Sequence, residues 1–185
     1  QSGFTIIELM VTLIIAAVLV SLAVPNMRIF IQNARLSSQT NDLIADLNVT
    51  RSEAIKRGVP VTLCRSASPE AATPVCGSGT NWENGWLVFA DTNGNRSYDA
   101  ADNDTVIRTH PALAGNNTLR TNLAAMANSL SYLSNGLIFP APGPGTQATF
   151  TFCDDRGATA ARGVVIENTG RAAAVRNTAG TLSCP

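Results

Sequence analysis

The stretch Phe4–Val24, FTIIELMVTLIIAAVLVSLAV, decides the fold of this 185-residue chain. As a helix, these twenty-one residues would extend roughly 31 Å, about the thickness of the hydrocarbon core of a membrane. Glu8 is the one charged residue in the run, and Pro25 follows it directly. A carboxylate within lipid costs on the order of 3 kcal/mol by insertion scales, so Glu8 needs a partner. The run therefore predicts a helix long enough to cross a membrane, with a single carboxylate, Glu8, that serves a function.

Two ordinary interpretations leave part of this stretch unexplained. A secretory signal peptide is favoured by the small residues Ser21 and Ala23, but the positive N-terminal region is missing and Glu8 lies near the start. A plain single-pass membrane anchor explains the length of the run but does not explain why the run contains Glu8.

The junction Gly3-Phe4-Thr5-Ile6-Ile7-Glu8-Leu9 resembles the processing and methylation site of type IV pilins and type II secretion pseudopilins. The resemblance implies that a prepilin peptidase cuts after Gly3, that Phe4 is N-methylated, and that Glu8 serves assembly. Residues 1–3 would be a leader remnant. The new α-amino charge on Phe4 of one subunit would then neutralise Glu8 of its neighbour in a medium of low dielectric constant.

After Pro25 the sequence becomes amphipathic. Apolar residues recur at spacings of seven, four and seven, typical of a helix with one buried stripe: Leu36, Leu43, Leu47 and Ala54. Gly58 and Pro60 predict its end. We expect a hydrophobic helix over 4–25 and an amphipathic spine over 26–58, either nearly continuous or bent at Pro25.

From Val59 onward, short apolar runs alternate with turns rich in Gly, Pro, Asn and Asp, a pattern typical of strands. The predicted strands are Val59–Cys64, Gly85–Phe89, Thr105–Arg108, Ser129–Leu133, Leu137–Phe139, Ala148–Phe152 and Gly163–Ile166. We expect Trp86 in the core and Trp82 over the edge of the sheet. The fold class is therefore α+β, with a long N-terminal helix packed on a mostly antiparallel β head over 59–185.

The head narrows the resemblance to the FimT/FimU/GspH group of minor pilins and pseudopilins. The segments that carry it are Val61–Ser66, Trp82–Asn95, Phe152–Gly157, Ala161–Val165 and Thr169–Arg171. The resemblance implies a minor pilin that primes or caps assembly of a type IV pilus with other pilins, and a role in DNA uptake. The alternative is a minor pseudopilin of a type II secretion system. Either protein would lie in the bacterial inner membrane with its head in the periplasm, and would enter a filament after assembly.

Four cysteines in an exported chain suggest disulfides, and three pairings are open. The two sequence-local bonds, Cys64–Cys76 and Cys153–Cys184, are favoured. Zinc is the alternative, but no Cys-x-x-Cys pair occurs and His110 is the one histidine.

The charge composition limits the functions available. Thirteen basic and thirteen acidic residues balance to zero, which excludes a strongly basic nucleic-acid binder. With a single histidine and no evident nucleophile, we expect no enzyme and no cofactor.

Oxygen-bearing side chains alternate in one loop in a way that resembles the first ligands of a calcium site: Asp91, Asn93, Asn95, Asp99 and Asp102. Arg96 stands where an EF-hand loop requires glycine, and Asp102 replaces the bidentate glutamate. The favoured interpretation is a turn in which Asx side chains bind their own backbone.

The C-terminal part is rich in arginine: Arg156, Arg162, Arg171 and Arg176. FimT-type pilins involved in DNA uptake carry a Gly-Arg-x-Arg motif, whereas this chain has Gly170-Arg171-Ala172-Ala173. A DNA-binding receptor on the pilus is the alternative of another class, and solvated surface arginines are the plainer interpretation.

Overall fold

The computed structural model describes residues 3–77, 81–178 and 180–184. It divides into two compact units, residues 1–35 and 36–185. One helix, α1, spans Ile6–Arg57 and contains Pro25. Gln1 and Ser2, which belong to the predicted leader remnant, lie outside the described residues.

The first unit contains the apolar part of α1, and its side chains are exposed. Large apolar residues from Phe4 to Ile31 are about half to four-fifths accessible. By length and composition α1 contains a window able to cross a membrane, and none of that window is buried. So continuous an apolar surface indicates that lipid or other protein covers it.

The second unit carries two antiparallel sheets beside the amphipathic part of α1. The first sheet has the order β3-β2-β1-β5-β6, with β1 Val61–Arg65, β2 Trp86–Ala90, β3 Thr105–His110, β5 Ser129–Tyr132 and β6 Ile138–Phe139. The second has the order β4-β7-β8-β9, with β4 Thr118–Thr121, β7 Ala148–Cys153, β8 Arg162–Ile166 and β9 Ala172–Arg176. The predicted α+β class is confirmed.

The helix stripe lies at the centre of the core. All four of its apolar residues are fully buried and share one cluster with side chains of both sheets: Leu36, Leu43, Leu47 and Ala54. Gly58 has φ +71°, and its N–H donates to the carbonyl of Ala54 at 3.0 Å. The left-handed conformation, which glycine adopts without a Cβ penalty, follows the last helical turn.

The prediction that Trp82 covers a sheet edge is wrong. A 3-10 turn over Trp82–Asn84 brings the indole ring inward, where it is 2% exposed. It meets the ring of Phe150 edge-on, with 5.2 Å between centroids. Both tryptophans therefore belong to the core.

Candidate functional site

Glu8 lies at the beginning of α1, in a reciprocal arrangement with Thr5. The Thr5 hydroxyl donates to Glu8 Oε2 at 3.2 Å, and the Thr5 N–H approaches the same oxygen at 3.4 Å. In return, the Glu8 N–H donates to Thr5 Oγ1 at 3.3 Å. This is a capping box, in which Thr5 precedes the helix and Glu8 is its third residue. The role of Thr5 as a helix cap was not predicted from the sequence, although its Thr-x-x-Glu spacing is the sequence signal of a capping box.

The predicted cleavage junction lies just ahead of this cap. Gly3 and Phe4 precede α1, and the Phe4 side chain is 76% exposed. No atom lies within 4 Å of the position a Gly3 Cβ would take. An exposed, non-helical junction is the form in which a peptidase can reach a peptide bond.

A buried carboxylate connects the amphipathic part of α1 to the first sheet. Asp46 is 1% exposed, and its Oδ2 accepts a hydrogen bond from Trp86 Nε1 at 2.7 Å. Arg108 Nε lies 2.9 Å from Oδ1, and His110 stacks on Trp86 with 3.9 Å between ring centroids. Burial raises the pKa of Asp46, and the hydrogen bond from Trp86 and the Arg108 charge only partly oppose it. The helix is therefore joined to both β2 and β3 through one side chain.

The raised pKa of Asp46 predicts a pH effect on stability. A folded-state pKa above the unfolded value means that stability from this group is present below the unfolded pKa and is lost as the pH rises through the folded pKa. Asp46→Asn, which keeps an acceptor for Trp86, is expected to remove this loss and flatten the acid-range dependence of the free energy of unfolding. Denaturant unfolding of the chain at a series of acidic pH values measures it. The exposed Glu70→Gln is the control, and an unchanged slope for Asp46→Asn contradicts the prediction.

The cysteines form the two bonds that the sequence favours. Cys64 is bonded to Cys76, with Cα atoms 5.6 Å apart, and Cys153 is bonded to Cys184, with Cα atoms 5.9 Å apart. The first joins β1 to the loop that follows it, and the second joins β7 to the C-terminal segment. Each constrains its unfolded loop, with a typical stabilisation of about 2–4 kcal/mol.

The loop with calcium-like spacing is a network of Asx turns. Asn93, Asn95 and Asp99 each accept a hydrogen bond from the backbone N–H two residues ahead, at 2.7 to 3.0 Å. Asp91 is buried and accepts from a threonine hydroxyl and a backbone N–H at 2.8 and 2.9 Å. Asp102 accepts from the Asn93 amide at 2.7 Å. Within the described residues, no three His, Cys, Asp or Glu side chains are grouped to hold a metal.

The four candidate arginines do not form one patch. Arg162 and Arg176 lie directly opposite each other on β8 and β9. Arg156 donates two hydrogen bonds to the Asp154 carboxylate, at 2.6 and 3.0 Å. Burial alone would raise the pKa of Asp154, but the hydrogen bonds from Arg156 outweigh burial, and the net effect is a lowered pKa. Arg171 precedes β9 and lies about 17 Å along the strand from Arg176, at 3.3 Å per residue. DNA binding by these arginines stays a prediction. Arg162 and Arg176 are the pair that the strand register places side by side.

Gly170, the glycine of the Gly-Arg segment, joins the two sheets. It has φ +79°, and a Cβ there would lie 2.6 Å from the carbonyl oxygen of Gly136 and 2.7 Å from Cε1 of Tyr132. The Tyr132 hydroxyl donates to the Gly170 carbonyl at 2.8 Å, and burial raises the pKa of Tyr132 to about 12. Glycine is therefore required at position 170 by close packing against Gly136 and Tyr132.

Comparison with known families gives two matches. Residues 39–170 match the family described as Type II transport protein GspH, and residues 1–24 match the prokaryotic N-terminal methylation motif. The first match spans most of the second unit, and the second covers the apolar run and its junction. A comparison with curated proteins finds no match.

Solved structures of two proteins match this chain, and the first of them shows a similar fold. The type IV minor pilin FimU of Pseudomonas aeruginosa has a TM-score of 0.61 and 21% identity, covering 84% of this chain and 99% of that chain. The minor pseudopilin EpsH from the type 2 secretion system of Vibrio cholerae has a TM-score of 0.49 and 13% identity, covering 78% of this chain and 98% of that chain.

Proposed function

Since this chain belongs to the family of the type II transport protein GspH, we propose that it is a minor pilin of a type IV pilus, whose work is to prime filament assembly. The observation that carries the proposal is the combination at the N-terminus. An exposed Gly3–Phe4 junction is followed by Glu8 at the start of α1, and the apolar N-terminal part of α1 is uncovered. Such a surface is suited to storage in a membrane and then to packing among other helices.

The proposed chemistry is the pairing of charges between subunits. Cleavage after Gly3 by a prepilin peptidase creates an α-amino group on Phe4, which N-methylation leaves cationic. That cation binds the Glu8 carboxylate of a neighbouring subunit. An unpaired carboxylate in an apolar surrounding costs several kcal/mol. A filament in which each Glu8 is paired is therefore more stable than one that contains an unpaired subunit.

The partners are accordingly other pilins, the peptidase and the inner membrane. Before assembly the first unit lies in the bilayer and the second in the periplasm, where the two disulfides suit the oxidising surroundings. We propose no catalytic role.

A second candidate function is a minor pseudopilin of a type II secretion system, because the matching family carries that description. The helix, the junction and Glu8 would serve such a filament equally well. A role in DNA uptake is the candidate of another class, and it would depend on Arg156, Arg162, Arg171 and Arg176.

The proposal is tested on filaments sheared from cells that make the protein natively. Mass spectrometry is expected to find this chain in type IV pili, beginning at an N-methylated Phe4. A Gly3→Val variant, which crowds the cleavage site, is expected to keep its leader and to be absent from the filaments. Recovery only with secretion pseudopili assigns the second candidate. Absence from both kinds of filament contradicts an assembly function.

A further inference from the structure

A cavity of about 270 Å³ lies in the second unit, between α1 and the strands β8 and β9. Two arginines are among the residues that line it, Arg162 and Arg176. The helix contributes Ser37, Thr40 and Asn41, and the Thr40 hydroxyl donates to the Leu36 carbonyl at 2.7 Å. The walls therefore hold hydrogen-bond donors and two positive charges, with no acidic residue among the described residues that line them.

Within the described residues, no carboxylate is bound to either arginine. Arg162 Nε is buried and has no hydrogen-bond partner within the described residues. Neither arginine forms an ion pair among those residues. Burial and the charges of Arg176 and Arg156 lower the pKa of Arg162, although a guanidinium remains protonated at neutral pH. Two like charges side by side, with no carboxylate bound to either within the described residues, make this region electrostatically suited to an anion.

The shape and surroundings of the cavity favour a small anion on another protein. Its volume suits the end of one acidic side chain with a few waters. The remaining arginines do not line the cavity: Arg156 is bound to Asp154, and Arg171 lies at the other end of β9. Nucleic-acid binding depends on several phosphate contacts over a wide basic surface, and the net charge of this chain is zero.

We propose that this cavity receives the carboxylate of an Asp or Glu side chain from a neighbouring filament subunit, bound by Arg162 and Arg176 together. The planar fork of a guanidinium matches a carboxylate with two parallel hydrogen bonds. The inference rests on the proposed function, since it takes the neighbour to be a pilin or pseudopilin. It adds a contact between heads to the contact between helices.

The binding chemistry is tested with acetate as the probe on the full chain in detergent. In nuclear magnetic resonance spectra, the Arg162 Nε–H signal is expected to shift saturably on acetate addition. The shift should disappear in Arg176→Gln, whereas Arg171→Gln is expected to bind acetate normally. The absence of a saturable shift in the wild-type chain overturns the proposal.

The assembly role is tested in cells with the double variant Arg162→Gln/Arg176→Gln. Its recovery in sheared filaments is expected to fall at least ~10-fold, the factor that corresponds to losing one charge-assisted contact. Arg171→Gln, which removes an exposed arginine outside the cavity, is expected to assemble normally. An unaltered melting temperature of the double variant shows that the loss is not one of folding.

Three other results distinguish the possible failures. Normal filament entry of the double variant overturns the carboxylate proposal and leaves the proposed function intact. If that variant assembles normally but loses salt-sensitive binding of DNA, the cavity binds phosphate instead, and the proposal is again overturned. Absence of the wild-type chain from filaments overturns the proposed function, and the subunit contact with it.

Discussion

Replacing Glu8 with alanine is expected to leave the chain in the membrane and to lower its recovery in filaments at least ~100-fold, because removing one partner from a buried ion pair costs about 3–5 kcal/mol. The Phe4 amine of the neighbouring subunit would then be left without its carboxylate. The measurement is immunoblotting of membranes and of sheared filaments from the same cells. Normal recovery of the variant in filaments contradicts the charge pairing.

The capping box supplies matched controls for this experiment. Glu8→Gln keeps a side chain that can reach back to the helix start, but it removes the charge. Thr5→Ala removes the hydroxyl that binds Glu8 Oε2 and leaves the carboxylate in place. If charge pairing governs assembly, Glu8→Gln behaves like Glu8→Ala, and Thr5→Ala has the smaller effect. The reverse order would mean that helix capping is what assembly requires.

Gly170→Ala is expected to be the most damaging small substitution in the head. The new Cβ would meet the Gly136 carbonyl oxygen and the Tyr132 ring at 2.6 and 2.7 Å, and the backbone has φ +79°. Conformational strain alone costs about 1–3 kcal/mol, and the contact with backbone cannot be relieved by a side-chain rotation. A loss of about 3 kcal/mol would lower the melting temperature by roughly 10 °C for a unit of this size.

Gly145→Ala is the matched control, because Gly145 has φ +74° and no atom within 4 Å of the added Cβ. It carries the conformational cost without the steric one. Thermal unfolding of both variants separates the two contributions. Equal melting temperatures for Gly170→Ala and Gly145→Ala would show that the approach of Tyr132 to Gly170 does not limit stability.

The parts of the fold that the sequence predicted are those with strong local patterns. The helix stripe from Leu36 to Ala54 repeats with helical period, and the strands β2 and β7 are apolar and aromatic. β9 escaped prediction because three alanines carry no strand preference, and it forms through its register with β8. β4 is four residues long and is fixed by its pairing with β7.

The site residues divide in the same way. Glu8 stands out as a lone charge in an apolar run, whereas Asp46 resembles any other polar residue of an amphipathic helix. Its burial depends on Trp86 and Arg108, which are distant along the chain and meet it only through the packing of α1 on the sheet. The pairing of Arg162 with Arg176 likewise depends on the register of two strands.

The bond between Cys153 and Cys184 has a consequence for a protein exposed to proteases. It closes a covalent loop of the chain that contains β8 and β9. In the turn between these strands, Asn168 and Thr169 are exposed to solvent. A single cut in that turn would leave both fragments tethered, with β8 and β9 still adjacent in the second sheet. A nicked subunit would therefore migrate as one piece on a gel until a reductant is added, and it would remain in place in a filament.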